Sequence, residues 1–173
     1  MSRPRIIAGS AKGRELNVAG RETRPTPAVI REALFSILAP EPRGAFLDLY
    51  AGSGAVGLEA ASRGWQVTLV ERDAAAARVL RANALRLGLP VEVHTVDAER
   101  FVAQGVRFDV VFAGPPYRFD PDDALELALQ AAVPGGIVVV QHAARVRLAR
   151  GEPRVYGSNA FTVLRRTTAP EEC

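Results

Sequence analysis

Five short apolar runs, separated by segments that favour helix, constrain the fold of this chain more than any other feature. Each run has the length of a strand and is rich in Val, Phe, Leu or Ile, as buried parallel strands are. The runs are Ala45–Tyr50, Gln66–Glu71, Val91–Val96, Phe108–Ala113 and Ile137–Gln141. The helices predicted between them are Gly54–Ser62, Asp73–Leu87, Ala98–Ala103 and Asp122–Ala132. This alternation predicts a doubly wound, mostly parallel α/β sheet with crossover helices on its faces.

Shorter elements flank this core at both ends. Ahead of it, Arg5–Ala8 and Glu15–Val18 surround a turn, which predicts a small hairpin. A helix is predicted over Pro27–Leu38, with Thr26 as its N-cap and Pro27 at its first position. After the core, a Gly-Ser-Asn turn separates two further β-forming segments. These segments are Arg154–Tyr156 and Ala160–Arg166. They form an antiparallel hairpin that brings the predicted sheet to seven strands.

The length and the scarcity of cysteine and histidine limit the class of protein. A chain of 173 residues suffices for one domain with a substantial core. We expect a basic extension over residues 1–40, packed on a sheet domain over residues 41–173, in a single compact unit. Cys173 is the single cysteine, and with only His94 and His142 beside it the chain has no zinc motif, so we expect no metal. We find no signal peptide or membrane span and expect a cytoplasmic monomer.

Positive charge is concentrated at the two ends of the chain. Residues 1–31 contain seven basic and two acidic side chains, and residues 145–173 contain six basic and three acidic ones. Residues 32–144 are acidic, with fourteen acidic against nine basic side chains. Nearly all of the basic residues are arginine, which pairs with phosphate in a planar, two-pronged geometry. This distribution favours a polyanionic partner such as nucleic acid.

A glycine-rich turn follows the first predicted strand. Gly52, Gly54 and Gly57 fit the pattern G-x-G-x-x-G between a strand and a helix, where the backbone approaches a ligand closely. Leu58 occupies the position of the lysine that a phosphate-binding loop requires, so that class is excluded. Ala51 replaces the first glycine of a nucleophile elbow, which excludes a serine hydrolase of that type.

Acidic residues at the ends of the strands distinguish between the ligands that such a turn can bind. A dinucleotide presents its pyrophosphate to the helix N-terminus, where Asp48, four residues before Gly52, would repel it. S-adenosylmethionine brings an ammonium and a sulfonium instead, and a carboxylate attracts both. Glu71 ends the second strand, where it can accept the ribose hydroxyls, and Asp97 ends the third, near the adenine amino group. Since these strand ends meet at one crevice, they predict a site for S-adenosylmethionine.

The fourth strand leads into Gly114-Pro115-Pro116-Tyr117. Two prolines directly after a buried strand fix an extended turn at the carboxyl edge of the sheet. An aromatic ring beside that turn can stack on a flat base. The sequence therefore predicts that a planar group is held next to the predicted cofactor site.

At this turn the chain resembles the amino-methylating S-adenosylmethionine enzymes, whose motif is Asp/Asn-Pro-Pro-Tyr/Phe. More narrowly it is similar to the bacterial 16S ribosomal RNA guanine-N2 methyltransferases. The matching segments include Arg5-Ile6-Ile7-Ala8-Gly9, Lys12-Gly13-Arg14, Thr23-Arg24-Pro25-Thr26, Val29, Arg31-Glu32-Ala33-Leu34-Phe35, Leu47-Asp48-Leu49-Tyr50-Ala51-Gly52-Ser53-Gly54, Asn83 and Val155-Tyr156-Gly157. The resemblance covers nearly the whole chain and implies a Rossmann-like class I methyltransferase fold.

The predicted site residues form three groups. The group expected to hold S-adenosylmethionine is Asp48, Tyr50, Ala51, Gly52, Ser53, Gly54, Glu71, Arg72, Asp97 and Ala98. The group expected at the reacting amino group is Gly114, Pro115, Pro116 and Tyr117. Its first two carbonyls would orient the amino group, and its aromatic ring would stack on a flipped guanine. By resemblance, the RNA-facing group is Arg3, Arg5, Lys12, Arg14, Arg24 and Thr26. The implied partner is 16S ribosomal RNA, within a small ribosomal subunit or an assembly intermediate.

Two residues depart from the family pattern. Gly114 stands where the motif has Asp or Asn, whose oxygen accepts an amino hydrogen and steers the nitrogen lone pair toward the methyl group. That amino hydrogen could instead be accepted by a backbone carbonyl of Gly114 or Pro115, by a water molecule or by Asp120. Gln141 stands where the family often has a glutamate at the end of the fifth strand.

Three alternatives stay open at this point. The first is a protein that binds S-adenosylmethionine and ribosomal RNA without methyl transfer, which Gly114 motivates. The second is an amino-methyltransferase acting on DNA, since such enzymes share the proline motif. The third is a hydride-transfer enzyme, against which Asp48 argues because of its charge.

Overall fold

The computed structural model describes residues 3–20 and 25–168, and a seven-stranded sheet forms its centre. In this part of the chain the helices are α1 (Ala28–Leu38), α2 (Ala55–Ser62), α3 (Ala74–Leu87), α4 (Ala98–Val102) and α5 (Pro121–Ala131). The strands are β1 (Ala45–Asp48), β2 (Gln66–Val70), β3 (Val91–His94), β4 (Phe108–Ala113), β5 (Ala132–Ala143), β6 (Glu152–Tyr156) and β7 (Asn159–Arg165). Strands β1 to β5 are parallel, and β7 runs antiparallel to both β5 and β6. The predicted doubly wound sheet with its antiparallel C-terminal hairpin is confirmed.

Two apolar cores form, one on each face of the sheet. Successive side chains of a strand point to opposite faces, and the central strands are apolar on both. Phe46 and Val110 belong to the core that includes buried residues of α1, α2 and α3, whereas Leu47 and Val111 belong to the core beneath α4 and α5. Burial on both faces explains why these strands are continuous apolar runs.

The strand order β3-β2-β1-β4-β5-β7-β6 changes direction beside β1. The chain first builds outward from β1 to β3 and then crosses back to place β4 on the other side of β1. Asp48 at the end of β1 pairs in register with Leu69 of β2 and with Phe112 of β4. Ligands of doubly wound sheets bind at the carboxyl ends of the strands at such a switch point.

The N-terminal segment is attached to the core through two buried charged residues. The Glu59 carboxylate in α2 accepts hydrogen bonds from the backbone N–H of Ile7 at 2.9 Å and of Ala8 at 3.2 Å. Arg31 in α1 donates to the carbonyl of Arg5 at 2.8 Å, and its guanidinium lies 3.6 Å from the Glu59 carboxylate. The predicted N-terminal hairpin forms around an antiparallel bridge between Arg5 and Glu15. The N–H of Ile6 donates to the Arg14 carbonyl at 2.9 Å, and the N–H of Leu16 donates to the Pro4 carbonyl at 2.8 Å. The N–H groups of Ile7 and Ala8 bond to Glu59 instead of to a partner strand.

The predicted N-cap of α1 is wrong. The helix begins at Ala28 and Pro27 is its N-cap residue, so Pro27 lies one position ahead of its predicted place. The Pro27 carbonyl accepts the first helical bonds, from the N–H of Ile30 and of Arg31. The hydroxyl of Thr26 makes no cap bond and instead donates to Oε1 of Gln141 at 3.3 Å. A distant tertiary partner has therefore replaced the local one.

Strand β5 is longer than predicted. It begins at Ala132, which pairs with Phe108, and the pairing then shifts register before Ile137 pairs with Val110. The intervening Pro-Gly-Gly sequence forms this irregularity instead of preceding the strand. The other predicted elements agree with the structure to within two residues at each end.

Candidate cofactor and substrate site

The turn between β1 and α2 depends on glycine. Gly52 and Gly54 have φ values of +57° and +91°, a region that other residues rarely adopt. A Cβ atom at Gly54 would lie 2.3 Å from Cδ1 of Leu80, and one at Gly57 would lie 1.9 Å from Cδ2 of Leu69. Glycine therefore makes the turn and also lets α2 and α3 approach the loop and the sheet closely.

Asp48 is a buried carboxyl beside this turn. It is 1% exposed, and its Oδ1 lies 3.4 Å from the backbone N–H of Tyr50. Burial raises the pKa of Asp48 to about 7, with the charge of Glu71 adding to the effect and the N–H groups of Tyr50 and Gly57 opposing it. None of the ion pairs among the described residues includes Asp48. A ligand that brings a positive charge would supply the partner that this carboxylate lacks.

Glu71 lies on the same edge of the sheet, directly after β2. Its carboxylate accepts a hydrogen bond from the N–H of Asp73 at 3.3 Å. Burial raises the pKa of Glu71, while the backbone N–H groups of Asp73 and Gly52 favour its ionised form. The N–H of Ala51 donates to the Val70 carbonyl at 2.9 Å, so the end of β2 and the glycine turn are adjacent. The structure thus brings Asp48, Gly52 and Glu71 together as predicted.

The third acidic residue is engaged differently. Asp97 is the N-cap of α4, and its Oδ1 accepts from the N–H of Arg100 at 3.3 Å. Ala98 beside it is buried, and Arg72 is exposed. Asp97 still follows β3 on the same edge of the sheet as Asp48 and Glu71.

Tyr50 forms one wall of a cavity next to the glycine turn. Its ring packs against Phe119 with 6.2 Å between the ring centroids. Burial, together with Glu99 and Asp123, raises the pKa of Tyr50 to about 12, so its hydroxyl stays a hydrogen-bond donor. The cavity has a volume of about 320 Å³, and acidic side chains of α4, of α5 and of Asp120 also line it. Ser53 and Ala51, the remaining predicted loop residues, are buried.

The turn after β4 is open to solvent on one side. Gly114 and Pro115 are half-buried, whereas Pro116 and Tyr117 are exposed. The Tyr117 side chain is 86% exposed, which excludes core packing as the reason for an aromatic residue here. Since β4 pairs with β1, this turn and Asp48 flank the same crevice.

Several residues around the site have roles that sequence reasoning did not assign. The Asn83 side chain is fully buried and donates both to the Ser53 carbonyl at 3.2 Å and to the Asn17 carbonyl at 2.9 Å. It therefore connects the glycine turn to the N-terminal segment. Asn83 is part of the family resemblance, and a polar residue in the otherwise apolar stripe of α3 is the signal that points to it. For Glu59 and Arg31, no local pattern indicates that they meet.

The predicted RNA-facing residues lie on the N-terminal segment. Arg3, Arg5, Lys12 and Arg14 are all exposed. Arg5 forms an ion pair with Glu15 at 2.5 Å. Arg24 falls outside the described residues.

The described residues also bear on the requirements of a metal site and of a membrane-spanning helix. Across residues 3–20 and 25–168, no three His, Cys, Asp or Glu side chains lie close enough to hold a metal ion. In the same part of the chain, every helix is too short or too polar to cross a membrane.

Comparison with known proteins identifies relatives over most of the chain. The profile of the family described as conserved hypothetical protein 95 matches residues 4–156. YlbH of Bacillus subtilis (strain 168) is 36% identical over 156 residues, covering 83% of this chain and 85% of that protein. The ribosomal RNA small subunit methyltransferase D of Escherichia coli (strain K12) is 43% identical over 120 residues, covering 66% of this chain. That alignment spans 60% of the length of the E. coli protein.

Solved structures agree with this relationship. A hypothetical protein from Thermus thermophilus is 44% identical and superimposes with a TM-score of 0.86, covering 92% of this chain and 98% of that one. The T. thermophilus 16S rRNA N2 G1207 methyltransferase, solved with AdoMet and guanosine, has a TM-score of 0.74 at 21% identity, covering 86% of this chain and 45% of that one. The second likeness concerns the fold. The chain belongs to the conserved hypothetical protein 95 family, the family of the small-subunit ribosomal RNA methyltransferase D proteins.

Proposed function

We propose that this chain transfers a methyl group from S-adenosylmethionine to the exocyclic N2 of a guanine in 16S ribosomal RNA. By family it is an S-adenosylmethionine-dependent ribosomal RNA methyltransferase. The observation that supports the specific reaction is the pairing of β1 with β4. This pairing sets a buried carboxyl without a described cationic partner, Asp48, next to a turn whose carbonyls can orient an amino group, Gly114-Pro115.

The chain's own residues would hold the cofactor as follows. The Asp48 and Glu71 carboxylates attract its positive charges and accept its hydroxyl hydrogens, and the left-handed turn at Gly52 and Gly54 lets the backbone come close. Asp97 faces the base of the cofactor. When bound, S-adenosylmethionine supplies a methyl group on a sulfonium sulfur, an electrophile with a good leaving group.

The substrate guanine would be held at the turn after β4. It must leave its stack to reach the crevice, and the exposed Tyr117 ring provides a surface on which it can stack. The carbonyl of Gly114 or Pro115 accepts one amino hydrogen, which directs the nitrogen lone pair toward the methyl carbon. The N2–carbon bond forms as the carbon–sulfur bond breaks, and the amino group loses a proton to solvent. Positioning supplies much of the acceleration in such a displacement.

The exposed basic side chains of the N-terminal segment would contact RNA phosphates. The side chains that would make these phosphate contacts are Arg3, Arg5, Lys12 and Arg14. Two further residues would border the cofactor or the RNA, namely Arg24 and Thr26. We infer that the substrate is a small ribosomal subunit or an assembly intermediate and that the enzyme acts as a cytoplasmic monomer. We also propose that residues 1–40 and 41–173 form one folding unit, as the bonds from Glu59, Arg31 and Asn83 to the N-terminal segment favour.

One alternative function keeps a specific observation in its favour. Gly114 supplies no side-chain acceptor, so a relative that binds S-adenosylmethionine and RNA without methyl transfer would have the same sequence here. A Cβ atom at this position would meet no atom closer than 3.4 Å, so a side chain can be introduced without a clash.

The test uses labelled S-adenosylmethionine and small ribosomal subunits that lack the modification, with the natural protein and Gly114→Asp in parallel. Digested RNA is examined for N2-methylguanine by mass spectrometry. We expect label in that nucleoside with the natural protein. Label only with Gly114→Asp would establish the binding-only alternative, and no label with either protein would reject 16S RNA guanine as the substrate.

A further inference from the structure

A polar side-chain atom lies beside the position that a side chain of residue 114 would occupy. The atoms nearest to a Cβ built on Gly114 are Cε1 and Cζ of Phe112 at 3.4 Å and Oε1 of Gln141 at 3.6 Å. The φ angle of Gly114 is not in the left-handed region, so the backbone presents this direction as it would for any residue. A side-chain oxygen from β5 therefore lies beside the place where residue 114 has none.

The carboxamide of Gln141 is fixed in orientation by partners on both ends. Its Nε2 donates to Oδ1 of Asn159 in β7 at 3.3 Å. Its Oε1 accepts from the hydroxyl of Thr26, ahead of α1, at 3.3 Å. Because Nε2 is held against an acceptor, the oxygen is the atom turned toward Gly114. A carbonyl oxygen has two lone pairs, so after the bond from Thr26 it retains one acceptor position.

Asp120, the other carboxylate near this turn, is committed elsewhere. Its Oδ1 accepts from the N–H of Asp122 and caps α5, and the residue lines the cavity beside Tyr50 and Phe119. Among the described residues, the polar side-chain atom nearest to the vacant position at Gly114 is Oε1 of Gln141.

We propose that Oε1 of Gln141 accepts a hydrogen from the amino group of the target guanine and so serves as the side-chain acceptor that Gly114 does not provide. The guanine amino group has two hydrogens. The backbone carbonyl of Gly114 or Pro115 takes one and Gln141 takes the other, which leaves the nitrogen lone pair directed at the methyl carbon. Thr26 and Asn159 are positioning residues that hold the amide. This inference rests on the proposed function and adds a catalytic residue from a strand that the proline turn does not include.

The first experiment measures single-turnover methyl transfer to small ribosomal subunits for Gln141→Met, which keeps the side-chain length without the amide. We expect the rate to fall about 10²-fold, as for loss of one positioned polar group, with unchanged affinity for S-adenosylmethionine. Gln141→Glu keeps the acceptor and should retain activity. Gln104→Ala, an exposed glutamine after α4, is the matched control. A Gln141→Met rate within twofold of the natural protein would overturn the inference.

A second substitution separates chemistry from structure. In the Gln141→Met background, Gly114→Asn returns a carboxamide to the same place from the other strand, and we expect the rate to recover at least tenfold. Unfolding temperatures are recorded for every variant. Recovery would support a shared acceptor position, whereas a loss that Gly114→Asn does not relieve would indicate a structural role and overturn the inference.

Nucleoside binding tests the role of Gln141 without requiring methyl transfer. With S-adenosylhomocysteine present, the natural protein should bind guanosine more tightly than inosine, which lacks the amino group. Gln141→Met should retain only part of that preference, because the backbone carbonyl of Gly114 or Pro115 still accepts one amino hydrogen. If the natural protein transfers no methyl group but shows this preference and Gln141→Met reduces it, the proposed function fails and the inference stands. If the natural protein binds both nucleosides equally, or neither, the inference is overturned.

Discussion

Asp48 is buried in the core, an environment that disfavours the ionised form of a carboxyl group. Its pKa is raised to about 7 by burial, from an ordinary value of 3.8. The protein therefore keeps a carboxyl that loses its proton only near neutral pH, next to a turn suited to a cationic ligand. Binding a sulfonium and an ammonium favours the ionised form, so binding and proton release are coupled.

The first prediction concerns the pH dependence of cofactor binding. Between pH 6 and 8 we expect the affinity for S-adenosylmethionine to rise as Asp48 loses its proton, with proton release on binding near pH 7. Asp48→Asn should abolish this dependence and weaken binding by about 1.5–3 kcal/mol, the range for a hydrogen bond to a charged group. Titration calorimetry in buffers of different ionisation enthalpy measures both. Binding by Asp48→Asn that still varies with pH would assign the dependence to another group.

The raised pKa of Asp48 also predicts that ionisation of this residue lowers the stability of the folded protein, whereas it strengthens cofactor binding. Because the folded pKa lies above the unfolded one, ionisation favours the unfolded chain, and the free energy of unfolding falls as pH rises from about 4 to 7. At 1.36 kcal/mol per pKa unit, this cost reaches about 4 kcal/mol above pH 7. Asp48→Asn should therefore be more stable than the natural protein at pH 8, with the gap closing toward pH 5. Urea unfolding at both pH values checks this, and an equal gap at both would contradict it.

Tyr117 gives a prediction that separates stacking from folding. Stacking of a base on an aromatic ring contributes about 1–3 kcal/mol, so Tyr117→Ala should lower kcat/KM for RNA by about 5- to 150-fold. Tyr117→Phe should retain activity. Since the side chain is 86% exposed, neither change should alter the unfolding temperature or the affinity for S-adenosylmethionine. Steady-state kinetics with small subunits provides the measurement, and full activity in Tyr117→Ala would exclude a stacking role.

At the scale of elements, the attachment of the N-terminal segment to α2 is the most specific feature. The Ser62 hydroxyl donates to the Ala8 carbonyl at 2.6 Å and accepts from the N–H of Ala11 at 2.9 Å. Gly9 lies between them and has a φ of +86°. A Cβ atom there would lie 1.8 Å from the backbone oxygen of Ser62. Only glycine allows the two backbones to approach so closely.

Two glycines of this segment form a matched pair. Gly9 and Gly13 have φ values of +86° and +81°, but a Cβ at Gly13 would meet nothing within 4 Å. Alanine at either position carries the backbone strain of about 1–2 kcal/mol. Gly9→Ala adds a steric cost of about 1–3 kcal/mol, so it should be the less stable variant by that margin in urea unfolding. Equal stability of the two variants would mean that the segment does not dock against α2 in solution.

The sequence predicts local features of the fold well and long-range ones poorly. Strand and helix positions follow from apolar periodicity. The caps of α3, Asp73 and Gly88, are local as well, because each acts within one turn of the helix. The predicted N-cap at Thr26 is wrong, and the N-terminal hairpin is short, because polar groups of both segments bond to partners far along the chain. Thr26 and Gln141 are 115 residues apart, and Ile7 and Glu59 are 52 apart. No local pattern contains such pairs.

The residues of the candidate site also fall into those that the sequence predicts and those that it does not. The carboxylates at the ends of β1 and β2 were predictable because parallel strands bring their carboxyl ends to one edge. Asn83, Arg31 and Gln141 act through side-chain contacts that only the packed structure defines.

Over the described part of the molecule, exposed basic side chains lie together on the N-terminal segment, whereas several acidic side chains line the cavity beside Tyr50. The exposed basic residues of the N-terminal segment adjoin the cofactor loop through Asn17 and Asn83, while Glu99, Asp120 and Asp123 line the cavity beside Tyr50. We therefore expect the N-terminal segment to attract a polyanion and the acidic residues of the crevice to attract the cationic cofactor.

This arrangement predicts that RNA binding depends on salt. Each phosphate contact contributes about 0.7–0.9 to the slope of log affinity against log salt concentration. Lys12→Ala should weaken binding and reduce the slope by about 1. Arg107→Ala, an exposed residue directly before β4 at the opposite edge of the sheet, should leave the slope unchanged. Filter binding between 50 and 200 mM salt, about the range over which such contacts weaken, measures the slope. Equal slopes for the natural protein and both variants would show that the N-terminal segment does not contact RNA.

The contacts that hold the N-terminal segment have a consequence for biosynthesis. Ile7 bonds to Glu59 and Asn17 bonds to Asn83, across 52 and 66 residues of sequence. At about 5–20 residues per second, the ribosome completes this segment several seconds before it makes those partners. During that interval its arginines and lysine have no partner of their own chain at Glu59 or Asn83 to dock against. The N-terminal segment therefore cannot complete these contacts until the chain has been made through α3.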